Sequence, residues 1–292
     1  MIKIVVASGK GGTGKTLVAT SLALVASEDS VTAFLDADVE APNAALFLHP
    51  RLEEHLLVER LVPEIDANRC NHCGRCAEVC QYNALAVLPN QTLVFSEVCH
   101  SCGSCARQCP QGAIREVPQA IGSLDVGWVD TSLSFVQGTL EIGQAIATPV
   151  IRAVKRHARE AGWDRFSVNI VDAPPGTACP MVESLRGASV VLLVTEPTSF
   201  GLHDLRLAIE VARDMLSLPV AVAINKERSD NTMMDDFCRA EQIPVVLRIP
   251  LDRRIAVAYS QGIPLVQALP EYRPKLAEVL QNLRRIATED RT

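Results

Sequence analysis

The segment IKIVVASGKGGTGKT, residues 2–16, holds the reading that decides the fold. Ile2 to Ser8 is a short, nearly continuous apolar run of the kind that forms a strand buried on both faces. Gly9-Lys10-Gly11-Gly12-Thr13-Gly14-Lys15-Thr16 then satisfies G-x4-G-K-[ST], and Thr16 to Ser27 has the length and composition of a helix packed on a sheet. Strand, glycine-rich loop and helix form the context that a phosphate-binding loop requires. The glycines let backbone N–H groups turn onto phosphate oxygens, the helix adds its positive end, Lys15 neutralises β/γ oxygens and Thr16 ligates Mg²⁺. Lys10 lies too early in the loop to share that work, so it either points away or reaches another group.

Outward from this unit the strand signal recurs. Val31 to Asp36 is apolar and ends in Asp36-Ala37-Asp38, and further apolar runs occupy residues 166–172, 189–195 and 219–225, separated by helix-length segments. The alternation predicts an α/β fold, a doubly wound, mostly parallel sheet of the P-loop type. Ile243 to Leu247 reads as an added edge strand and residues 122–142 as alternating β-structure. Residues 143–161 read as a helix whose basic face, with Arg152, Lys155, Arg156 and Arg159, is most simply a solvated surface. Leu276, Val279, Leu280, Leu283 and Ile286 form a helical stripe expected to pack on the sheet; a membrane-targeting tail would share the periodicity.

A cysteine-rich block interrupts this pattern. RCNHCGRCAEVCQYNAL at 69–85 matches VCHSCGSCARQCPQGAI at 98–114, and eight of the ten cysteines fall in the two copies. Their spacing, C-x2-C-x2-C-x3-C, is that of two-cluster iron–sulfur proteins, in which the fourth cysteine of each run ligates the other cluster. Cys70, Cys73, Cys76 and Cys109 are thus expected to hold one [4Fe-4S] cluster, and Cys99, Cys102, Cys105 and Cys80 the second. Structural zinc is the competing reading, but its sites pair two separated knuckles. Gly74 and Gly103 occupy equivalent bends and are expected at positive φ. Pro110 follows Cys109 whereas Gln81 follows Cys80, a departure that removes no ligand. His72 and His100, between ligand positions, read as exposed loop residues or as tuners of a cluster potential. The expected domains are 1–62 and 118–292 for the phosphate-loop part, with an inserted α+β ferredoxin-like domain at 63–117.

KGGTGKT at 10–16, LDADVEAPN at 35–43 and VDAPPGT at 171–177 resemble the deviant Walker A ATPases, the MinD, ParA, Mrp and nitrogenase iron-protein group. Members with an inserted ferredoxin domain are the nearest likeness. The resemblance implies ATP with Mg²⁺ and a face-to-face homodimer when ATP is bound, in which Lys10 reaches the partner's nucleotide. It further implies that Asp38 positions the attacking water and that Asp172 holds Mg²⁺ through water. Asn225 resembles the adenine-reading asparagine, though alone it is a turn residue, and Pro250 is expected to pack against the base. Asp36 reads either as a second candidate or as a structural loop-capping carboxylate. Cys179 lies in the region that resembles switch II, where the nitrogenase iron protein bridges a cluster between subunits; that arrangement needs a second cysteine per chain, and residues 122–142 contain none.

Two functions are expected on these grounds. In one, nucleotide-driven dimerisation is coupled to electron transfer or metallocluster assembly, with a redox partner or client protein. In the other, the chain is a MinD- or ParA-like positioning or partition ATPase with a redox-sensing or structural insert. The net charge of −6 gives no general attraction to nucleic acid or anionic lipid, and no apolar run approaches membrane-spanning length. The opening apolar run is too short for a signal peptide, and metal-ligand spacing places the cysteines in a reducing cytoplasm.

Overall fold

The structure is a computed structural model that describes residues 1–228 and 232–289. Its strands are β1 (Ile2–Ala7), β2 (Thr32–Asp36), β3 (Arg51–Ile65), β4 (Leu85–Leu88), β5 (Gln91–Val94), β6 (Ile114–Trp128), β7 (Leu133–Leu140), β8 (Val168–Asp172), β9 (Val190–Thr195), β10 (Val220–Glu227) and β11 (Val245–Pro250). Nine of them form one sheet in the order β11-β10-β9-β1-β8-β2-β7-β6-β3. The pairs from β11 through β9, β1, β8 and β2 to β7 are parallel. β1, β2, β8 and β9 are buried along almost their whole length, as expected where helices cover both faces of a parallel sheet.

The chain divides into two compact units. The first comprises Met1–His55, Leu124–Thr139 and Ile151–Thr292. Its core joins β1, β8, β9 and β10 to helix α1 (Lys15–Asp29) and the Tyr272–Glu289 helix. Leu276, Val279, Leu280 and Leu283 of the C-terminal stripe are buried and Ile286 packs against them, so this face is spent on the core. The second unit comprises Leu56–Ser123 and Leu140–Val150, and the segment 63–117 lies within it. It has its own small core of Val62, Ala84, Leu85, Cys76, Cys99 and Cys105, with β4 and β5 paired antiparallel beside it.

Two readings from the sequence need correction. The helix expected at 143–161 spans Thr148–Glu160; Gly143 takes φ +90°, and Pro149 suits a first turn but cannot sit deeper in a helix. The 15-residue strand β3 carried no signal, because only Val58, Arg60, Val62 and Pro63 of its residues are buried and its outer half is charged. The edge strand expected at 243–247 runs instead from Val245 to Pro250. Among the described residues no helix is long and apolar enough to cross a membrane.

Candidate functional site

Parallel strands deliver their C-terminal ends to one edge, and that edge collects Asp36 and Asp172, which close β2 and β8, with Lys10 and Glu196 from the segments that follow β1 and β9. The loop after β1 leads into α1, whose N-cap, Gly14, provides no side-chain cap. The first N–H groups of a 15-residue helix are thus left for an anion. Gly14 takes φ +90°, and a Cβ there would overlap the Asn225 amide. Gly9 packs equally closely on the Asp204 backbone, whereas Gly11 and Gly12 face open space. The buried Thr13 Oγ1 has no hydrogen-bond partner, which suits a loop shaped around a ligand.

Lys15 and Asp172 form the centre. Lys15 Nζ lies 2.5 Å from Asp172 Oδ1 and 3.4 Å from Asp38 Oδ2, while Thr16 Oγ1 donates to Asp172 Oδ2 at 2.7 Å. Burial alone would lower the Lys15 pKa; Asp172 and Asp38 overcome it and raise the ammonium above its ordinary value. Asp36 stands beside Asp172 in strand register and is fully buried. It accepts the N–H groups of Asp38 and Ala44, both at 3.1 Å, so it is the loop-capping carboxylate. Burial, then repulsion from Asp172, raise its pKa to about 7 despite Lys15.

That shift has a measurable sign. From roughly pH 4 to 7 the folded state holds a proton on Asp36 that the unfolded chain has released, so stability of the nucleotide-free protein falls as pH rises through this window. Asp36→Asn is expected to flatten the slope, which in the parent is on the order of 1 kcal/mol per pH unit. Urea denaturation at pH 5, 6, 7 and 8 reads this; an unchanged slope would show that Asp36 does not carry it.

Further residues lie around the loop and at the same sheet edge. Lys10 is ion-paired with Glu196, the residue that follows β9, and Lys226 Nζ approaches the same carboxylate at 3.2 Å while donating to Gly12 O at 2.8 Å. Burial would raise the Glu196 pKa, but hydrogen bonds from Lys10 and Lys226 bring it below its usual value. Asn225 is buried, donates to Thr13 O at 2.7 Å and accepts from Lys226 N, so it braces the loop from the side. Pro250 ends β11, exposed and in register with Glu227. Glu196 and Lys226 were not singled out by the sequence reading. The signal was available, because Glu196 directly follows a buried strand, much as Asp36 and Asp172 end theirs.

In the second unit all eight motif cysteines are free thiols. Cys80 shares one small cavity with Cys99, Cys102 and Cys105 of the other repeat. Cys76 lies within electrostatic reach of Cys70 and Cys109, the latter likewise from the other repeat. The two fourth cysteines adopt one posture, Cys80 accepting from Ala84 N and Cys109 from Ala113 N, each at 3.3 Å. Gly74 and Gly103 take φ +85° and +69°. Burial pushes the Cys105 thiol up to about 11 and raises Cys76, so a cation must replace the proton before either is a thiolate. Among the described residues no three His, Cys, Asp or Glu side chains converge tightly enough for a single metal ion. The donor set and its exchange between repeats fit two cubanes.

His100 stacks on Tyr82 at 3.6 Å between ring centroids, and His72 Nδ1 lies 3.7 Å from Cys70 Sγ. Cys179 is exposed at the start of the Cys179–Leu185 helix and Cys238 is buried. Arg60, also missed in the sequence, is 7% exposed and lies beside Cys99.

Comparison with known proteins identifies the family and the fold. The profile described as the CobQ/CobB/MinD/ParA nucleotide binding domain matches residues 4–265. A protein of Methanocaldococcus jannaschii without an assigned function is 33% identical over 79% of this chain and 80% of its own length. An iron-sulfur cluster carrier protein of Methanococcus maripaludis is 22% identical over 97% of this chain and 86% of its own. Among solved structures, the cell division ATPase MinD of Pyrococcus furiosus superposes with TM-score 0.58 at 18% identity, covering 97% of this chain and 99% of that one. The septum site-determining protein MinD of Pyrococcus horikoshii, complexed with Mg-ADP, gives 0.57 at 16%, covering 99% and 98%.

Proposed function

From the premise that this chain belongs to the CobQ/CobB/MinD/ParA nucleotide-binding family, as a MinD-superfamily P-loop protein, we propose that it hydrolyses Mg-ATP and couples nucleotide-driven dimerisation to two [4Fe-4S] clusters. The observation that carries the proposal is the placing of Cys80 among Cys99, Cys102 and Cys105, in the same chain as the Lys15–Asp172 pair. The clusters belong to an inserted ferredoxin-like domain at 63–117, between phosphate-loop parts at 1–62 and 118–292. They supply one-electron transfer or serve as the cargo of metallocluster assembly, in the cytoplasm, with a redox partner or client protein.

The nucleotide chemistry follows from the charges. A triphosphate would give Lys15 a new counter-ion and draw the ammonium from Asp172 to the β/γ oxygens; Thr16 and Asp172 are the residues that would then hold Mg²⁺, which would neutralise charge on the phosphates. Asp38 orients the attacking water. The water's oxygen bonds to the γ-phosphorus as the bridging oxygen leaves with ADP, and both of the water's protons leave with inorganic phosphate as H2PO4⁻. Asn225 and Pro250 flank the base. Lys10, released from Glu196, crosses to the nucleotide of a second copy.

Anaerobically purified protein is expected to contain about eight iron atoms per chain. Mg-ATP should shift the cluster EPR signal or midpoint potential and drive dimer formation in analytical ultracentrifugation. Lys10→Ala should still bind ATP yet stay monomeric, with no ATP-dependent shift. Material without inorganic sulfide, or clusters indifferent to Mg-ATP, would refute the coupling.

A further inference from the structure

Val58, Arg60 and Val62 alternate onto the buried face of β3, so a guanidinium occupies a place where the strand pattern calls for an apolar residue. Its Nη1 donates to Cys99 O at 2.8 Å, and its Nη2 donates to Ser96 O at 2.5 Å and Gln144 Oε1 at 2.9 Å. Nε has no partner. All three acceptors are neutral, and among the described residues Arg60 forms no ion pair. Glu97 attracts the guanidinium but is exposed to solvent, and among the described residues it forms no ion pair with Arg60. A buried cation without a counter-ion is costly, and such groups persist where something compensates the charge.

The first repeat has no equivalent. The polar side chains at Cys70 are His72 and Thr92. Arg69 and Arg75 are exposed, and Arg75 is occupied by Glu78 and Gln108. Solvent screens such charges, whereas a buried one acts at close to full strength. Glu116, at the cavity of Cys80 and Cys99, is exposed and screened in the same way.

Resting on the cluster reading above, we propose that Arg60 is the internal counter-ion of the cluster on Cys80, Cys99, Cys102 and Cys105. It holds that cluster at a higher reduction potential than its neighbour on Cys70, Cys73, Cys76 and Cys109. A four-thiolate [4Fe-4S] cluster is anionic and gains a further negative charge on reduction, so a fixed cation favours the reduced form. The duplication thereby yields two unequal electron sites.

The test is an EPR-monitored redox titration of the anaerobic protein, with iron and sulfide counted in every sample. Arg60→Gln is expected to lower one midpoint by at least tenfold in its reduction equilibrium, about 59 mV for one electron, and to leave the other nearly unmoved. Arg60→Lys, which keeps the charge, should restore most of the shift; a role confined to tying Cys99 to Gln144 would not be rescued in this way. Cys73→Ser, which alters the other cluster's signal, assigns the two. Two full clusters whose midpoints ignore Arg60→Gln, or move together, would overturn the proposal and leave the cluster reading standing. Coincident midpoints in the unsubstituted protein would overturn it with no variant needed. A protein without iron and sulfide would overturn both.

Discussion

Lys15→Met is expected to cut ATP turnover by about 10²–10³-fold and, in the absence of nucleotide, to destabilise the fold by about 3–5 kcal/mol. The two effects have one origin. Lys15 is the cation among Asp172, Asp38 and Asp36, of which Asp36 and Asp172 are fully buried. Without it the carboxylates face one another with nothing to compensate their repulsion, which adds to the burial that already favours protonation of Asp36 and Asp38. The loss should therefore be larger at pH 7.5 than at pH 5, where protonation relieves the repulsion. Adding Asp172→Asn removes one of the stranded charges, so the double variant should regain part of the stability and none of the turnover. Urea titrations of the four proteins in the cycle, each paired with a phosphate-release assay, read both effects. A Lys15→Met protein as stable as its parent would mean that the pair contributes nothing to the nucleotide-free state.

Cys80→Ala should remove the cluster of the second repeat rather than that of its own. Iron should fall from about eight to about four atoms per chain, and the surviving EPR signal should match that of Cys102→Ala. Cys109→Ala should match Cys73→Ala. This crossed pattern follows from the sharing of a cavity by Cys80, Cys99, Cys102 and Cys105, and from the approach of Cys109 to Cys76. Cys105 and Cys76 are buried in the small core with Ala84 and Leu85, so losing a cluster also unpacks the unit that holds it. Its amides should exchange faster in every one of these variants. A Cys80→Ala protein whose remaining signal matched that of Cys73→Ala would show that each repeat closes on itself.

Much of the molecule was legible before any coordinates. The runs at 2–8, 31–36, 166–172, 189–195 and 219–225 each became a buried strand, because a strand covered on both faces admits little but apolar residues. β3 was illegible for the opposite reason. Its sequence RLEEHLLVERLVPEI buries too few positions to alternate cleanly, and strand identity came from the neighbour it pairs with. The helix expected from residue 143 began at Thr148, since the preceding glycine turn carries no periodicity of its own.

Local spacing in the sequence was enough to identify a phosphate loop, which the family match supports, and to mark two cysteine runs as candidate cluster ligands, because each of these is written within twenty consecutive residues or fewer. Which charges meet was decided by the tertiary structure alone. Asp36 reaches Asp172, Lys10 reaches Glu196, and Arg60 reaches Cys99 across long stretches of chain. Parallel strands bring their carboxyl ends to one edge whatever their separation in sequence, and burial then fixes how strongly the gathered charges act on one another.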